Sequence, residues 1–428
     1  VLIGSLSGST IEWFDFFLYA TAAALIFDKQ FFPNDDPLIS LMLSYLSLSL
    51  TFFIRPFGGI VFSHIGDRIG RKKTLVITLS LMGGATVAIG LLPNYDQVGV
   101  LAPVLLILCR VVQGLAIGGE WGGALLLAYE YAPENRRGFF GSVPQTGITI
   151  GMLMSTVAFA LVSLMPAAAF ESWGWRIPFV ASVVLVFVGL WIRKGLAETP
   201  AFREAKESGD VAKLPIIDTL RDHWRSVLVA VGAKVVETAP FYIFATFVVS
   251  YATGTLDMEQ SVVLNAVSAG ALVSTFGILL MGRLSDRLGR PAVFLGGAVL
   301  IAAFAAPFFM LLDLRVDWAV YAAVVISLGL VWPPVTATLG TLTSEIFTTR
   351  VRYTGVTLGY QVGAALAGGT APLLATWLLA RFDGAWWPIA AYLVVLAAIS
   401  ICAVSLSGRI VRKESAAIAA RENDKVTP

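Results

Sequence analysis

The stretch SHIGDRIGRKKT, residues 63–74, lies between two long apolar runs and packs five charges into seven positions: Asp67, Arg68, Arg71, Lys72 and Lys73. A second stretch, GRLSDRLGRPAV, begins at Gly282 and is set between apolar runs in the same way. Asp67 and Asp286 are 219 residues apart, and Gly70 and Arg71 match Gly289 and Arg290 at the same offset. Other echoes follow the repeat. EYAPENRRG closes one apolar run and EIFTTRVRYTG closes another, while Glu12 and Glu237 each precede an aromatic run, WFDFFLYAT and TAPFYIFAT. A charged turn written twice predicts two like halves.

The apolar runs say what kind of halves these are. Of the 428 residues, 57% are hydrophobic and 14% charged, and the mean hydropathy is +0.80. A soluble domain carries roughly a quarter charged residues, so this composition excludes one. Forty glycines and 19 prolines suit packed membrane helices, where small residues let backbones approach and neighbours tolerate kinks. Cys109 and Cys402 sit inside apolar runs and suggest neither a disulfide framework nor a metal site. His64 and His223 flank the apolar segments and form no metal-ligating set.

A membrane-spanning helix needs about 20 mainly apolar residues. Spans are expected at 2–27, 38–65, 73–93, 100–131, 138–165 and 173–195, and again at 226–253, 260–284, 291–313, 316–344, 352–381 and 386–408. The first is too long for a signal-peptide core. The predicted fold is an all-α membrane protein of twelve helices in two pseudo-symmetric six-helix halves, a transporter architecture. Residues 1–195 form the first half, 196–225 a polar cytoplasmic linker, 226–408 the second half and 409–428 a cytoplasmic tail. With both ends inside, 23 of the 30 Lys and Arg residues fall on the inner side and four, Lys29, Arg176, Arg315 and Arg381, on the outer side. That bias sets the orientation.

The pattern G-x-L-x-D-R-x-G-R-K between the second and third spans resembles the signature of the major facilitator superfamily. The copy from Gly282 to Arg290 fits it closely; the first copy has Ser63 at its leading glycine. Finer likeness is to the metabolite:proton symporter family, through EWFDFFLY (12–19), RPFGG (55–59), GDRIGRK (66–72), RVVQGLAIGGEWGGA (110–124), SWGWRIPF (172–179) and VRYTG (351–355). That family includes carriers of shikimate, α-ketoglutarate, citrate, and proline or betaine. The resemblance implies a proton-coupled carrier of a small polar metabolite in the bacterial inner membrane. FYIFATFVVSYAT (241–253) and GYQVG (359–363) lean toward the shikimate-like members.

Seven ionisable residues fall inside the spans: Glu12, Asp15, Arg55, Arg110, Glu120, Lys234 and Glu237. Such groups are expensive in a membrane and face a cavity or a partner. Glu12 and Asp15, one turn apart, repel each other as carboxylates, so one holds a proton more readily. They are the candidates for proton coupling, with Asp15 slightly ahead. Arg55 and Glu120 come at similar depth and are expected to form a structural ion pair. Arg110 lies about 15 Å further out than Glu120 along its helix and opens RVVQG, which resembles the Arg–Gln–Gly motif of proton-linked facilitators. With Gln113 it is a candidate for gripping a carboxylate or for coupling. Lys234 and Glu237 either neutralise each other, or Lys234 offers a second positive charge to an organic acid. Gln145, Tyr242, Trp332, Tyr360 and Gln361 complete the candidate substrate contacts.

The twin turns have another role. An Asp at the end of the second span can accept hydrogen bonds from a helix start in the other half, and Arg68 and Arg71 can reach Glu130 or Glu134. With Gly70, Gly282, Asp286, Arg287, Gly289 and Arg290 these residues form the expected cytoplasmic gate. The predicted function is proton-coupled import of a small organic acid by a monomer in a lipid bilayer, with protons as coupling ion and no cofactor, metal or nucleic acid. The nearest rival is a carrier of a zwitterionic osmolyte. A drug/proton antiporter is disfavoured because GSVPQTGITIGMLMST in the fifth span lacks the Gly-Pro-x-x-Gly-Gly run of that branch. The tail RIVRKESAAIAARENDKVTP shows no sustained heptads, unlike the coiled-coil tails of osmolyte carriers. No HExxH, GxSxG or P-loop points to an enzyme. A channel would need neither two like halves nor buried coupling acids.

Overall fold

Gly289 is a glycine for a backbone reason: its φ of 89° turns the chain from one long helix, Gln260–Leu288, into the next, Arg290–Leu312. That conformation is strained for any residue with a Cβ. The computed structural model describes residues 2–69, 71–118, 132–194, 216–347 and 352–426. Gly70, Glu120 and Glu130 lie outside the described residues, as do the side chains of Asp67, Arg68 and Arg71.

Twelve long helices run through the described residues, and we number them in order. They are α1 (Leu2–Leu25), α2 (Pro37–Ile69), α3 (Arg71–Leu91), α4 (Leu101–Gly118), α5 (Glu134–Val162) and α6 (Arg176–Lys194). The second set is α7 (Trp224–Gly254), α8 (Gln260–Leu288), α9 (Arg290–Leu312), α10 (Asp317–Ile346), α11 (Arg352–Ala367 and Thr370–Arg381) and α12 (Trp387–Val426). Among the described residues, nine helices are long and apolar enough to cross a membrane, and the bent pair Ala167–Gly174 and Arg176–Trp191 makes a tenth. Of the other two, α1 carries Glu12 and Asp15, and α3 has its apolar stretch at Val76–Leu91.

The packing repeats with a step of six helices. In the first set α1 packs on α5, α2 on α4 and α3 on α6; in the second α7 packs on α11, α8 on α10 and α9 on α12. The seams between the sets obey the same rule, since α5 meets α8 and α2 meets α11. Small residues make the close approaches. A Cβ on Gly118 of α4 would lie 2.0 Å from the Arg55 carbonyl oxygen of α2, so only glycine lets these backbones touch.

Among the described residues, several helices depart from regular geometry. The α5 helix breaks between Arg137–Ser142 and Thr146–Val162, at Pro144. Both α7 and α10 contain a π turn, at Ile243–Phe247 and Ser327–Val331, and α11 breaks at Gly368 and Gly369. Single π turns inside α-helices gather at functional sites. Residues 409–426, read from the sequence as a tail beyond the last span, are helical and continue α12 to Val426. Ala, Arg, Glu and Lys give that stretch high helix propensity, and Glu414 anchors it to the start of α7.

Candidate functional site

A narrow cavity lies where α1, α2, α5, α7, α10 and α11 converge. Its walls are mostly aromatic: Trp13, Phe52, Phe241, Tyr242, Trp332 and Tyr360. Arg55, Lys234 and Glu237 supply charge, and Ile148, Thr238 and Ala364 complete the lining. The irregular helices explain how α7 and α10 present their groups. Trp332 follows the π turn of α10 directly and donates its indole N–H to the Glu237 carbonyl oxygen at 2.6 Å.

Glu237 is the most heavily bonded group in the site. Its Oε2 receives the Lys234 ammonium and the Thr238 hydroxyl (2.8 Å), and its Oε1 receives the Thr336 hydroxyl at 3.0 Å. Lys234 Nζ also sits 3.6 Å from the centre of the Tyr360 ring. Both side chains are almost wholly buried. Of the two alternatives open in the sequence, mutual neutralisation is the arrangement found.

Arg55 and Arg110 are placed differently. Arg110 is fully buried and does not line the cavity. Its guanidinium donates to Gln113 Oε1 (2.7 Å) and to the carbonyl oxygens of Leu48 (3.3 Å) and Ser47 (3.4 Å), with its centre 3.7 Å above the Tyr19 ring. Its hydrogen-bond partners are all uncharged. Arg55 lines the cavity with its guanidinium over the rings of Phe52 (4.4 Å), Phe16 (4.8 Å) and Trp13 (5.8 Å). Its Nε has no hydrogen-bond partner.

Asp15 is 1% exposed, and neither carboxylate oxygen has a hydrogen-bond partner. Thr86 of α3 sits beside it, but the hydroxyl proton of Thr86 goes to the Met82 carbonyl (3.1 Å), and its oxygen accepts from Gln113 Nε2 (2.9 Å). Arg110, Gln113, Thr86 and Asp15 therefore stand in a row. Glu12 is also buried and lies within electrostatic reach of Tyr360, so the two acids of one turn address different neighbours. Gln145 and Gln361 lie outside the lining but near it; Gln145 Nε2, Gln361 Oε1 and the Tyr242 hydroxyl are buried and unbonded.

Contacts between the two sets of helices close the space on both sides. Toward the start of α2, Tyr45 shares a 2.7 Å hydrogen bond with Ser250 of α7, and Ser49 donates to the Gly369 carbonyl of α11. On the opposite side Asp286 of α8 accepts the backbone N–H groups of Gly138 and Phe139, at the start of α5. Arg290 pairs with Asp286 (3.4 Å) and with Glu345 (3.2 Å). Gly282 packs against Ser142 and would bring a Cβ to 2.3 Å from its hydroxyl. Arg287 is exposed, and Glu134 pairs with Arg137 at 3.6 Å.

Several groups were not singled out in the sequence. Trp13 and Phe52 lie one and three residues from charges that were, and Thr238 adjoins Glu237, so proximity was a usable signal. Thr86 and Thr336 had none, because a threonine in an apolar helix looks like any other.

The Major Facilitator Superfamily profile matches residues 6–368. The chain is 36% identical over 417 residues to the shikimate transporter of Escherichia coli K12, covering 96% of this chain and 94% of the relative. It is 38% identical to the inner membrane metabolite transport protein YhjE of the same organism, over 95% and 93% of the two chains. The E. coli K12 proline/betaine transporter is 34% identical over 92% of this chain and 80% of its own length. Among solved structures, a D-xylose-proton symporter superposes with a TM-score of 0.68 at 16% identity, over 95% and 96% of the chains. That likeness is one of fold.

Proposed function

Because the chain belongs to the major facilitator superfamily, and is thus a multi-pass membrane transport protein for small molecules and not an enzyme, we propose that it is a proton-coupled symporter importing a small, shikimate-like organic acid by alternating access. The observation that carries this reading is the row Asp15, Thr86, Gln113, Arg110. It joins a buried, unbonded carboxylate to a buried guanidinium that has only uncharged hydrogen-bond partners. A carboxylate with no donor in low dielectric favours its protonated form. Losing that proton creates an anion that attracts Arg110 and pulls on the helices between them, α1, α3 and α4. Protonation thus biases which side of the bundle is open. The cavity between the two closures supplies the substrate site, and the positive charge of Arg55 favours an anion.

In this reading the Asp286–α5 contact is the cytoplasmic latch and Tyr45–Ser250 belongs to the outer closure. Both termini are cytoplasmic, the membrane is the bacterial inner membrane, and the working unit is a monomer of two halves, 1–195 and 226–408. Protons are the coupling ion and no cofactor takes part. The test is uptake into liposomes with an imposed gradient, acid outside. Organic acids should accumulate only while the gradient lasts, and accumulation with the gradient collapsed rejects coupling.

A second reading, a carrier of a zwitterion such as proline or betaine, has the aromatic walls in its favour, since ring faces bind quaternary ammonium groups.

A further inference from the structure

We propose that Arg55, and not Arg110, takes the carboxylate of the substrate, and that the cavity selects molecules with a single carboxylate and hydroxyl groups. This deepens the organic-acid reading and rests on it.

Position is the first argument. Of the two arginines buried among the described residues, Arg55 faces the cavity, while Arg110 lies behind it with its nitrogens engaged by Gln113, Ser47 and Leu48. Arg55 is 2% exposed, forms no ion pair with a described residue, and leaves Nε unbonded. Its ring contacts with Phe52, Phe16 and Trp13 offset only part of the cost of burying a cation. A carboxylate arriving in the cavity completes that compensation through a planar, two-pronged contact.

Charge count is the second. Among the described residues, three charged ones line the cavity, and two of them, Lys234 and Glu237, cancel. Thr238 and Thr336 bind the same carboxylate, so the pair is held from several sides. One positive charge is left, which matches one carboxylate. A second carboxylate would have to break the Lys234–Glu237 pair or stay buried without a cation.

The ring faces give the third argument, and it weighs against a quaternary ammonium. Those faces already carry the protein's own cations: Lys234 stands over Tyr360 and Arg55 over Phe52. Phe241 and Trp332 lean on each other with centroids 4.5 Å apart. A third cation would meet repulsion instead of open faces.

Unbonded polar atoms are the fourth. The Tyr242 hydroxyl lines the cavity with no partner, and Gln361 Oε1 and Gln145 Nε2, within one turn of the lining residues Tyr360 and Ile148, are also unsatisfied. Of these, Tyr242 is the one that lines the cavity, and its hydroxyl suits a hydroxyl group on the substrate.

The test uses the purified full chain and calorimetric binding of a panel of hydroxy monocarboxylates that includes shikimate. Methyl shikimate, succinate, glycine betaine and proline complete the panel. The tightest ligand should be a monocarboxylate, and the neutral ester should bind at least about tenfold more weakly than its acid. R55Q should lose at least about tenfold in affinity for the acid. R55K, which keeps the charge without the fork, should fall between and shrink the acid-over-ester preference, and it serves if R55Q does not fold. R110Q, which removes a member of the coupling row, should change the affinity for acid and ester alike and keep the preference between them. Parental affinity in both Arg55 variants overturns the assignment, as does loss of the acid-over-ester preference in R110Q alone. Succinate binding tighter than every monocarboxylate overturns the single-charge inference and leaves the organic-acid reading standing. Binding of betaine or proline with no response to any acid removes the organic-acid reading itself.

Discussion

Asp286 Oδ1 receives the backbone N–H of Gly138 at 2.7 Å, and Oδ2 receives that of Phe139 at 3.0 Å. Two N–H groups at the start of a helix in one set of six thus meet one carboxylate from the other set. The approach requires glycine at 138, where a Cβ would lie 2.3 Å from Ser285 Oγ and 2.7 Å from Asp286 Oδ1. Asp286→Asn should loosen this closure, because an amide has one acceptor oxygen and turns its NH2 toward the second N–H. Charge-assisted hydrogen bonds contribute about 1.5–3 kcal/mol, so opening should become roughly ten- to a hundredfold more frequent. With Cys109 and Cys402 replaced, a cysteine at the buried Ser142 reports it by its rate of reaction with a thiol reagent. An unchanged rate in D286N counts against a latch.

Asp15→Asn should separate binding from accumulation. Asparagine keeps the shape of the protonated acid but cannot release a proton. Substrate exchange across a liposome membrane at equal concentrations should persist, while uphill uptake under a pH gradient should vanish. For the parent, uptake should decline as the external pH is raised, since fewer carriers load a proton. If D15N and E12Q each still concentrate substrate, neither acid is the coupling site.

The twofold architecture was legible because a charged turn and a span count need only one dimension. Asp67 and Asp286 announce the repeat, and Lys and Arg placement follows with no knowledge of packing. The cavity was harder to read. Depth along a helix is set by counting residues, but which way a side chain faces depends on the rotation of the helix against its neighbours. Arg55 and Arg110 show this: both are cations at mid-span, yet one lines the cavity and the other lies behind Tyr19 and Phe16. The π turns of α7 and α10 shift the register after them, which no periodicity argument at 3.6 residues anticipates. Pairing of Lys234 with Glu237 was legible as one of two options, because residues three apart meet on a helix. That Thr336 also binds Glu237 was invisible, since 99 residues separate them.

The end of α12 offers a stability prediction. Glu414, nearly buried, accepts the backbone N–H groups of Arg225 (3.0 Å) and Ser226 (3.2 Å) and the Ser226 hydroxyl (2.5 Å). It lies 3.7 Å from His223 Nδ1. A carboxylate thus caps the first turn of α7 from the far end of the chain. Glu414→Ala should cost about 1–3 kcal/mol, lower the unfolding midpoint by a few degrees and speed proteolysis of the terminal helix. Arg412→Ala, two residues away on an exposed side chain, is the control and should do neither. Equal proteolysis of the two variants would mean that Glu414 does not anchor the helix.

The Lys234–Glu237 pair should reveal itself through a double substitution. Removing one partner of a buried ion pair leaves an uncompensated charge and costs about 3–5 kcal/mol. Lys234→Met alone should therefore reduce the yield of folded protein sharply, because Glu237 stays buried with only the hydroxyls of Thr238 and Thr336 for company. Adding Glu237→Gln removes the stranded charge. The glutamine can still accept a threonine hydroxyl, and the Trp332 indole bond is unaffected because it goes to the backbone carbonyl. Folding yield, read from size-exclusion profiles of the fluorescently tagged protein, should recover in the K234M/E237Q pair. Recovery of yield in the double mutant but not in K234M is the signature of a pair that neutralises itself. If K234M folds as well as the parent, the ammonium was not compensating Glu237. If the double mutant also keeps its preference for an acid over its ester, the anchoring charge in the cavity lies outside the pair, at Arg55.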